Sequence, residues 1–321
     1  MSKYKIIFFG TSNFAVPALE ALKLDKNFDI RLVVTQQDAP QGRKKILTPT
    51  SVKLAAEKLG LEIFTPEKIK DQKTLEIICG HEADFLVLAA YGKILPSKIL
   101  TCSKYGAINV HPSLLPKYRG PSPVQYALLN GDRETGVSII FMDEEIDHGP
   151  ILEQQKADID PNETADELKT RLSRLGGELL PKVLLRLGNN NLKPVPQDHK
   201  FATFSKILNR EDGHINWNKS AEDIYNMWRA FYPWPGIFSE IKAKDLEARR
   251  LILTKIKLTE VAEAEIKNYK PGEIFIFKGN PFVRCGNGAI KILSLQLEGK
   301  KGVSAKEFLQ GYKMFVGSSL T

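Results

Sequence analysis

Residues 106–116 read GAINVHPSLLP, and the first six of them decide the fold. Ala107, Ile108 and Val110 make a short apolar run that stops at Pro112, which can donate nothing to a sheet ladder. Four runs upstream have the same character: YKIIFFG (4–10), IRLVVT (30–35), LEIF (61–64) and DFLVLAA (84–90). They are nearly continuous in apolar residues, as parallel strands covered on both faces must be. Helical patterns lie between them. Thr48-Pro49 and Thr65-Pro66-Glu67 each offer an N-cap threonine followed by proline at the first helical position. The alternation predicts an α/β domain, a doubly wound, Rossmann-like parallel sheet with helices on both faces.

A sheet of that kind binds its ligands beyond the carboxyl ends of its strands. A nicotinamide dinucleotide is the usual occupant, but the first turn, FFGTSNFAVP, has Gly10 alone and lacks GxGxxG. There is no GxxxxGK[ST] either, so a P-loop nucleotidase is excluded on the same ground.

Residues 163–187 carry a long helical pattern, interrupted by Gly176-Gly177 and Pro181. Next, LGNNNLKPVPQDH (187–199) is rich in Asn and Pro and has no period, which predicts a linker. Beyond it, Ser220 to Phe231 reads as a helix. Five short strand-like runs follow: GIFSEIK, RRLILTKIKLT, GEIFIF, PFVRC and AIKILSLQ. They predict a small β-barrel of the OB type. The expected division is 1–189, 190–207 as linker, and 208–321.

The 321 residues carry a net charge of +8. Residues 208–321 hold 18 Lys/Arg against 13 Asp/Glu, more than half of the excess in about a third of the chain. Such an asymmetry suits a polyanionic partner, and equally a generic lysine-rich surface. No apolar run approaches the roughly 20 residues of a membrane span. The N-terminus has no long apolar stretch with a small-residue cleavage site. Three scattered cysteines (Cys79, Cys102, Cys285) fit neither a disulfide framework nor a zinc cluster, so a reducing cytoplasm and no metal are expected.

On the strand 106–111, Asn109 and His111 share one face, because side chains two apart on a strand point the same way. A lone polar residue there is more often a satisfied core or strand-end group. Here a third feature accompanies the pair. The strand-like TGVSIIFMD (135–143) leads into an acidic loop carrying Asp147 before Gly149-Pro150. Asp143, Glu144 and Glu145 make a merely solvated loop an equally open reading. An Asn amide and a protonated imidazole can donate to a developing oxyanion. A carboxylate can support that imidazole or accept a proton from an attacking amine. The set fits direct acyl transfer to an amine without a Ser or Cys nucleophile.

INVHPSLLPKYRGPSPVQYALLNGD and TGVSIIFMDEEIDHGPIL together resemble the folate-dependent formyltransferases. The resemblance implies that Asn109, His111 and Asp147 are the catalytic trio. It implies 10-formyltetrahydrofolate as co-substrate, contacted by Ser113, Leu114, Leu115 and Pro116 and by Ala90, Tyr91 and Gly92. It runs nearly end to end with the tRNA-acting branch of the family. QQDAPQGRKKILTPTSVKLAAEKLG (36–60) is similar to that branch's basic loop and following helix. ATFSKILNREDGHINW (202–217), FYPWPG (231–236) and LSLQLEGKKGVSAKEFLQG (293–311) resemble its C-terminal signatures. Gln36, Ala39 and Pro181 depart from the pattern without touching the trio. The implied partner is initiator methionyl-tRNA, met by Arg43, Lys44 and Lys45, in a cytoplasmic monomer serving translation initiation. Two alternatives are transfer to an amino-sugar nucleotide and a silent RNA-binding protein on the same fold.

Overall fold

The computed structural model describes residues 3–42, 45–243, 246–312 and 315–321. They form two compact units. The first comprises Met1–Pro123, Arg133–Ile159 and Glu167–Lys206; the second comprises Val124–Asp132, Asp160–Asp166 and Ile207–Thr321.

In chain order the first part runs β1 (Tyr4–Gly10), α1 (Val16–Leu24), β2 (Phe28–Val34), β3 (Ala39–Gln41), β4 (Ile46–Thr48), α2 (Ser51–Lys58), β5 (Ile63–Phe64) and α3 (Gln72–Gly80). It continues through β6 (Phe85–Ala89), α4 (Ser97–Leu100), β7 (Ala107–His111), α5 (Pro123–Leu129), β8 (Glu134–Phe141), β9 (Ile151–Asp158) and α6 (Ala165–Gly188). The main sheet has the order β5-β2-β1-β6-β7-β8-β9. The five strands read from apolar runs pair in parallel. β8 and β9 extend the sheet in antiparallel fashion, so it is parallel-rich and mixed. The chain runs outward through β1, β2 and β5 and then returns past β1 to β6, the winding expected of a Rossmann-like sheet. Ile6 to Phe9 in the central β1 are fully buried, as a strand covered on both faces requires.

One side of the sheet packs Ile7, Phe9, Leu32, Val34, Leu86 and Leu88 against Leu75 and Ile78 of α3 and Ile99 of α4. Elsewhere α6 runs unbroken for 24 residues, through Gly176, Gly177 and Pro181. A Cβ at Gly176 would stand 2.7 Å from Val110 Cγ1, so the glycine lets the helix lie close on β7.

Two helix starts differ from expectation. α2 begins at Ser51, capped by Thr50, whose hydroxyl accepts from the Lys53 amide at 3.0 Å; Thr48 Oγ1 instead donates to Ile46 O. α3 begins at Gln72 rather than after Thr65-Pro66. Residues 39–41 and 46–48, expected as part of a loop, pair as the β3–β4 hairpin, in register from Ala39↔Thr48 to Gln41↔Ile46.

The second unit contains α7 (Ala221–Phe231), β10 (Phe238–Ala243), β11 (Leu246–Leu258), α8 (Glu263–Ile266), β12 (Ile274–Phe277), β13 (Asn280–Arg284), β14 (Ala289–Leu297), β15 (Val303–Ser304) and α9 (Ala305–Gly311). Its antiparallel sheet has the order β10-β11-β14-β13-β12, with β15 on β14. Single bridges, Ile241↔Leu320 and Glu273↔Ser319, tie the C-terminal residues to β10 at one edge and to the approach to β12 at the other. The result is a curled half-barrel. Capping boxes at Ser220/Asp223 and Ser304/Glu307 start α7 and α9. Arg229 Nη1 donates to the carbonyls of Asp160 and Glu163 at 3.2 Å each, and Tyr225 donates to Asn162 Oδ1.

Candidate active site

Asn109 and His111 are brought to the carboxyl end of β7 by the register Leu88↔Asn109 on one side and His111↔Ser138 on the other. Val110 turns the opposite way, toward α6. Asp147 follows β8 on the acidic loop and reaches back to both residues. Asn109 Nδ2 donates to Asp147 Oδ1 at 3.2 Å, and His111 Nδ1 lies 3.4 Å from the same oxygen. The other carboxylate oxygen, Oδ2, accepts from the Gly120 amide at 2.8 Å. His111 is 3% exposed, and its Nε2 donates to Tyr118 O at 3.0 Å. Both neighbours of the ring, a carbonyl and a carboxylate, are acceptors, so each ring nitrogen faces a group able to take a hydrogen bond from its N–H. The Nδ1 contact is the longer and leaves that proton the more available to a substrate oxygen.

Two backbone positions make this convergence possible. Asp147 has φ of +51°, in the left-handed region that Asp tolerates better than most residues. Gly120 has φ of +102°, and a Cβ there would stand 2.6 Å from Ser205 O. Only glycine delivers that amide to the carboxylate.

The rest of the acidic loop is tied down. Ser97 Oγ donates to Glu144 at 2.6 Å, and His148 Nδ1 meets Asp143 Oδ2 at 2.7 Å. His148 also stacks on His199 with ring centroids 4.3 Å apart.

The stretches expected to meet folate flank the trio. Ser113 is fully buried; its hydroxyl donates to Lys117 O, and its carbonyl accepts from Ser138 Oγ, both at 2.6 Å. Leu115 is 3% exposed, and Ser138 and Gln154 bond both its backbone polar groups. Leu114 and Pro116 are half-buried. Residues 90–92 follow β6, in which Leu88 stands opposite Asn109. Ala90 and Gly92 are exposed there. The Tyr91 ring turns into the core, edge-on to Phe9 at 5.5 Å. Burial pushes its hydroxyl up to about 12, and that hydroxyl has no hydrogen-bond partner. The Tyr91 carbonyl accepts from Thr11 and Gln36. Lys45 is exposed on the β3–β4 turn; Arg43 and Lys44 lie outside the described residues.

Among the described residues, no group of three or more His, Cys, Asp or Glu side chains could hold a metal ion. None of the described helices is long and apolar enough to cross a membrane. Cys79 and Cys102 are half-buried and Cys285 is buried, all three as free thiols.

A sequence profile described as formyl transferase matches residues 4–184, and one described as formyl transferase, C-terminal domain, matches residues 207–313. The chain belongs to the formyl transferase family. Among its relatives is a methionyl-tRNA formyltransferase of Thermodesulfovibrio yellowstonii, 42% identical over 312 residues and 97% of each chain. Another, of the same name, from Caldicellulosiruptor saccharolyticus, is 41% identical over 98% of this chain and 99% of its own. Among solved structures, HypX from Aquifex aeolicus in complex with tetrahydrofolic acid superposes with a TM-score of 0.64 at 14% identity, covering 98% of this chain and 48% of that one. An N-formyltransferase from Helicobacter canadensis, bound to folinic acid and dTDP-3-aminofucose, gives 0.62 at 22% identity over 91% and 99%. Likeness at those identities is a likeness of fold.

This formyl transferase also places residues at the site that sequence reading passed over. Arg119 is 4% exposed; its Nε and Nη2 donate to Gln197 Oε1 at 3.1 and 2.7 Å, and Nη2 to His199 Nδ1 at 2.8 Å. Its backbone bonds to Thr203 O and the Ser205 amide. Gln197 Nε2 donates to Asp147 O at 2.9 Å and Gly149 O at 2.8 Å. Their signal was faint: one Arg in KYRG, and one Gln in a Pro-rich stretch that reads as linker.

Proposed function

We propose that this chain transfers the formyl group of 10-formyltetrahydrofolate to the free α-amine of methionyl initiator tRNA, for translation initiation. The carrying observation is the convergence of Asn109, His111 and Gly120 N–H on Asp147. It occurs in a chain aligned end to end with relatives named for that activity.

Asn109, His111 and Asp147 are the reacting groups in this reading. The donor lies along the sheet edge between residues 90–92 and 113–116. The exposed backbone of Ala90 and Gly92 and the half-buried Leu114 and Pro116 suit a flat ring with polar edges. Tyr91 contributes its backbone, since its ring is in the core. As the amine nitrogen bonds to the formyl carbon, negative charge develops on the formyl oxygen. Asn109 Nδ2 has a second hydrogen for that oxygen, and His111 Nδ1 supplies the other donor. Asp147 orients the imidazole and accepts the proton the amine must shed. The carbon–nitrogen bond to tetrahydrofolate then breaks, and His111 passes a proton to the leaving nitrogen. Residues 1–189 carry the reacting groups, 190–207 connect and also supply Gln197 to the surround of Asp147, and 208–321 hold the tRNA through their excess positive charge. Arg43, Lys44 and Lys45 probe the acceptor end. The protein acts as a cytoplasmic monomer.

Transfer of labelled formyl to charged initiator tRNA, with an amino-sugar nucleotide as control, tests the reading. Label appearing on the sugar and not on the tRNA overturns it.

A further inference from the structure

We infer that Gln197 is a positioning residue that fixes Asp147 for catalysis, an inference that rests on the role just given to Asp147. A primary amide offers two hydrogens and two lone pairs on oxygen, and here all four are engaged. The hydrogens go to Asp147 O and Gly149 O, the carbonyls on either side of His148. The lone pairs receive Nε and Nη2 of Arg119. Turning the amide over would set its hydrogens against the guanidinium and its oxygen against two carbonyls. At 5% exposure, water cannot stand in for a lost bond.

Arg119 is a firm base for this clamp. Thr203 O and the Ser205 amide bond its backbone, and His199 Nδ1 takes a further N–H. The next residue, Gly120, donates directly to the Asp147 carboxylate. Asp147 is thus held by its side chain from one direction and by its own carbonyl from another, at a left-handed φ that needs such support. Its contacts of 3.2 Å to Asn109 and 3.4 Å to His111 leave no slack for drift.

The chemistry of the clamp separates two roles for Gln197. Glutamate at this position keeps the size and strengthens the contact with Arg119, but it turns lone pairs toward the two loop carbonyls. A residue whose task is only to accept the hydrogen bonds of Arg119 tolerates Gln197→Glu. A residue whose task is to hold the loop does not. Gln197→Met removes the donors without burying a charge and serves if the glutamate variant folds poorly.

The test is a double-mutant cycle on the full chain, measured as formyl transfer to charged tRNA. Gln197→Glu and Gln197→Met should lower kcat by about tenfold to a hundredfold, the cost of a displacement near 1 Å. KM for donor and for tRNA should stay within about twofold. In an Asp147→Asn background the same changes should cost less than about twofold, because the residue they act through is already disabled. Equal losses in both backgrounds overturn the positioning role, as does wild-type kcat in both Gln197 variants while Asp147→Asn is impaired. Full activity in Asp147→Asn alone instead removes the role given to Asp147 and, with it, this inference.

Discussion

Asp147 gathers three donors on one carboxylate: the Asn109 amide, the His111 ring and the Gly120 backbone N–H. Asp147→Asn keeps the volume but offers an NH2 to groups that are themselves donors, so the loss should be chemical rather than steric. We expect Asn109→Ala, His111→Ala and Asp147→Asn each to lower kcat by about 10²–10³, the usual cost of one oxyanion-stabilising group. Circular dichroism and tRNA binding should be unchanged. Near-full kcat in all three would dismiss the trio. Leu114 and Leu115 call for separate expectations. Leu115 is 3% exposed, so Leu115→Ala should cost about 2–5 kcal/mol of stability in denaturant titration. Half-buried Leu114→Gln should mainly raise KM for the folate donor; an unchanged donor KM would remove Leu114 from that surface. The trio was legible because two polar residues at a spacing of two on an apolar strand demand a reason. The burial of the Tyr91 ring was not, since a hydroxyl on a strand-end aromatic gives no hint of which way the ring turns.

The five parallel strands, β8 and the strands β10 to β14 were readable because each contains a short apolar run that only burial explains, and the observed bounds fall within a few residues of those runs; β9, with a single buried position, and the two-residue β15 were not. The β3–β4 hairpin was not readable. Ile46 and Leu47 are 62% and 64% exposed, so burial imposes no pattern on it. The first cap was misplaced because Thr48 and Thr50 are chemically alike, and only the backbone chooses between them. Thr50 also shares a hydroxyl–hydroxyl bond of 2.7 Å with Thr35 of the β2 exit. Thr50→Ala should therefore cost about 1–2 kcal/mol, and Thr50→Ser much less. Equal costs for the two would show that the hydroxyl is not the cap. In α6, Gly176→Val sets three carbons where a single Cβ already stands 2.7 Å from Val110 Cγ1. Overpacking of that kind typically costs about 1–3 kcal/mol, and Val110→Ala should recover part of it if the clash is local. A lone glycine pair in a helical pattern suggested interruption; the unbroken helix shows that close packing was the reason for it.

At the scale of the molecule, the linear reading cannot show that the second unit draws in two earlier pieces of chain. Val124–Asp132 and Asp160–Asp166 cluster with Ile207–Thr321. Their partners are specific: Arg229 to the carbonyls of Asp160 and Glu163, Tyr225 to Asn162, and Asn226 beside Gly131. Nothing in a sequence window around 124–132 or 160–166 announces a partner that lies 63 to 95 residues ahead. A protein ending at Lys206 keeps Gln197, Thr203 and Ser205, and with them the whole hydrogen-bonded surround of Asp147. It loses the Arg229, Tyr225 and Asn226 partners of the two inserted segments. Such a protein should bind the folate donor with little change yet melt well below the full chain. Removing residues 208–321 also removes 18 Lys/Arg against 13 Asp/Glu. Each cation withdrawn from phosphate contact flattens the dependence of binding on salt, because fewer counterions are released. Transfer to charged tRNA should therefore fall most at low salt, and the plot of log affinity against log salt should become shallower. Raising the tRNA concentration should restore part of the rate, since the trio and its supports remain. Undiminished use of tRNA at low salt by the shortened protein would take residues 208–321 out of acceptor binding and leave the exposed Lys45, with the Arg43-Lys44 sequence before it, as the remaining basic candidate.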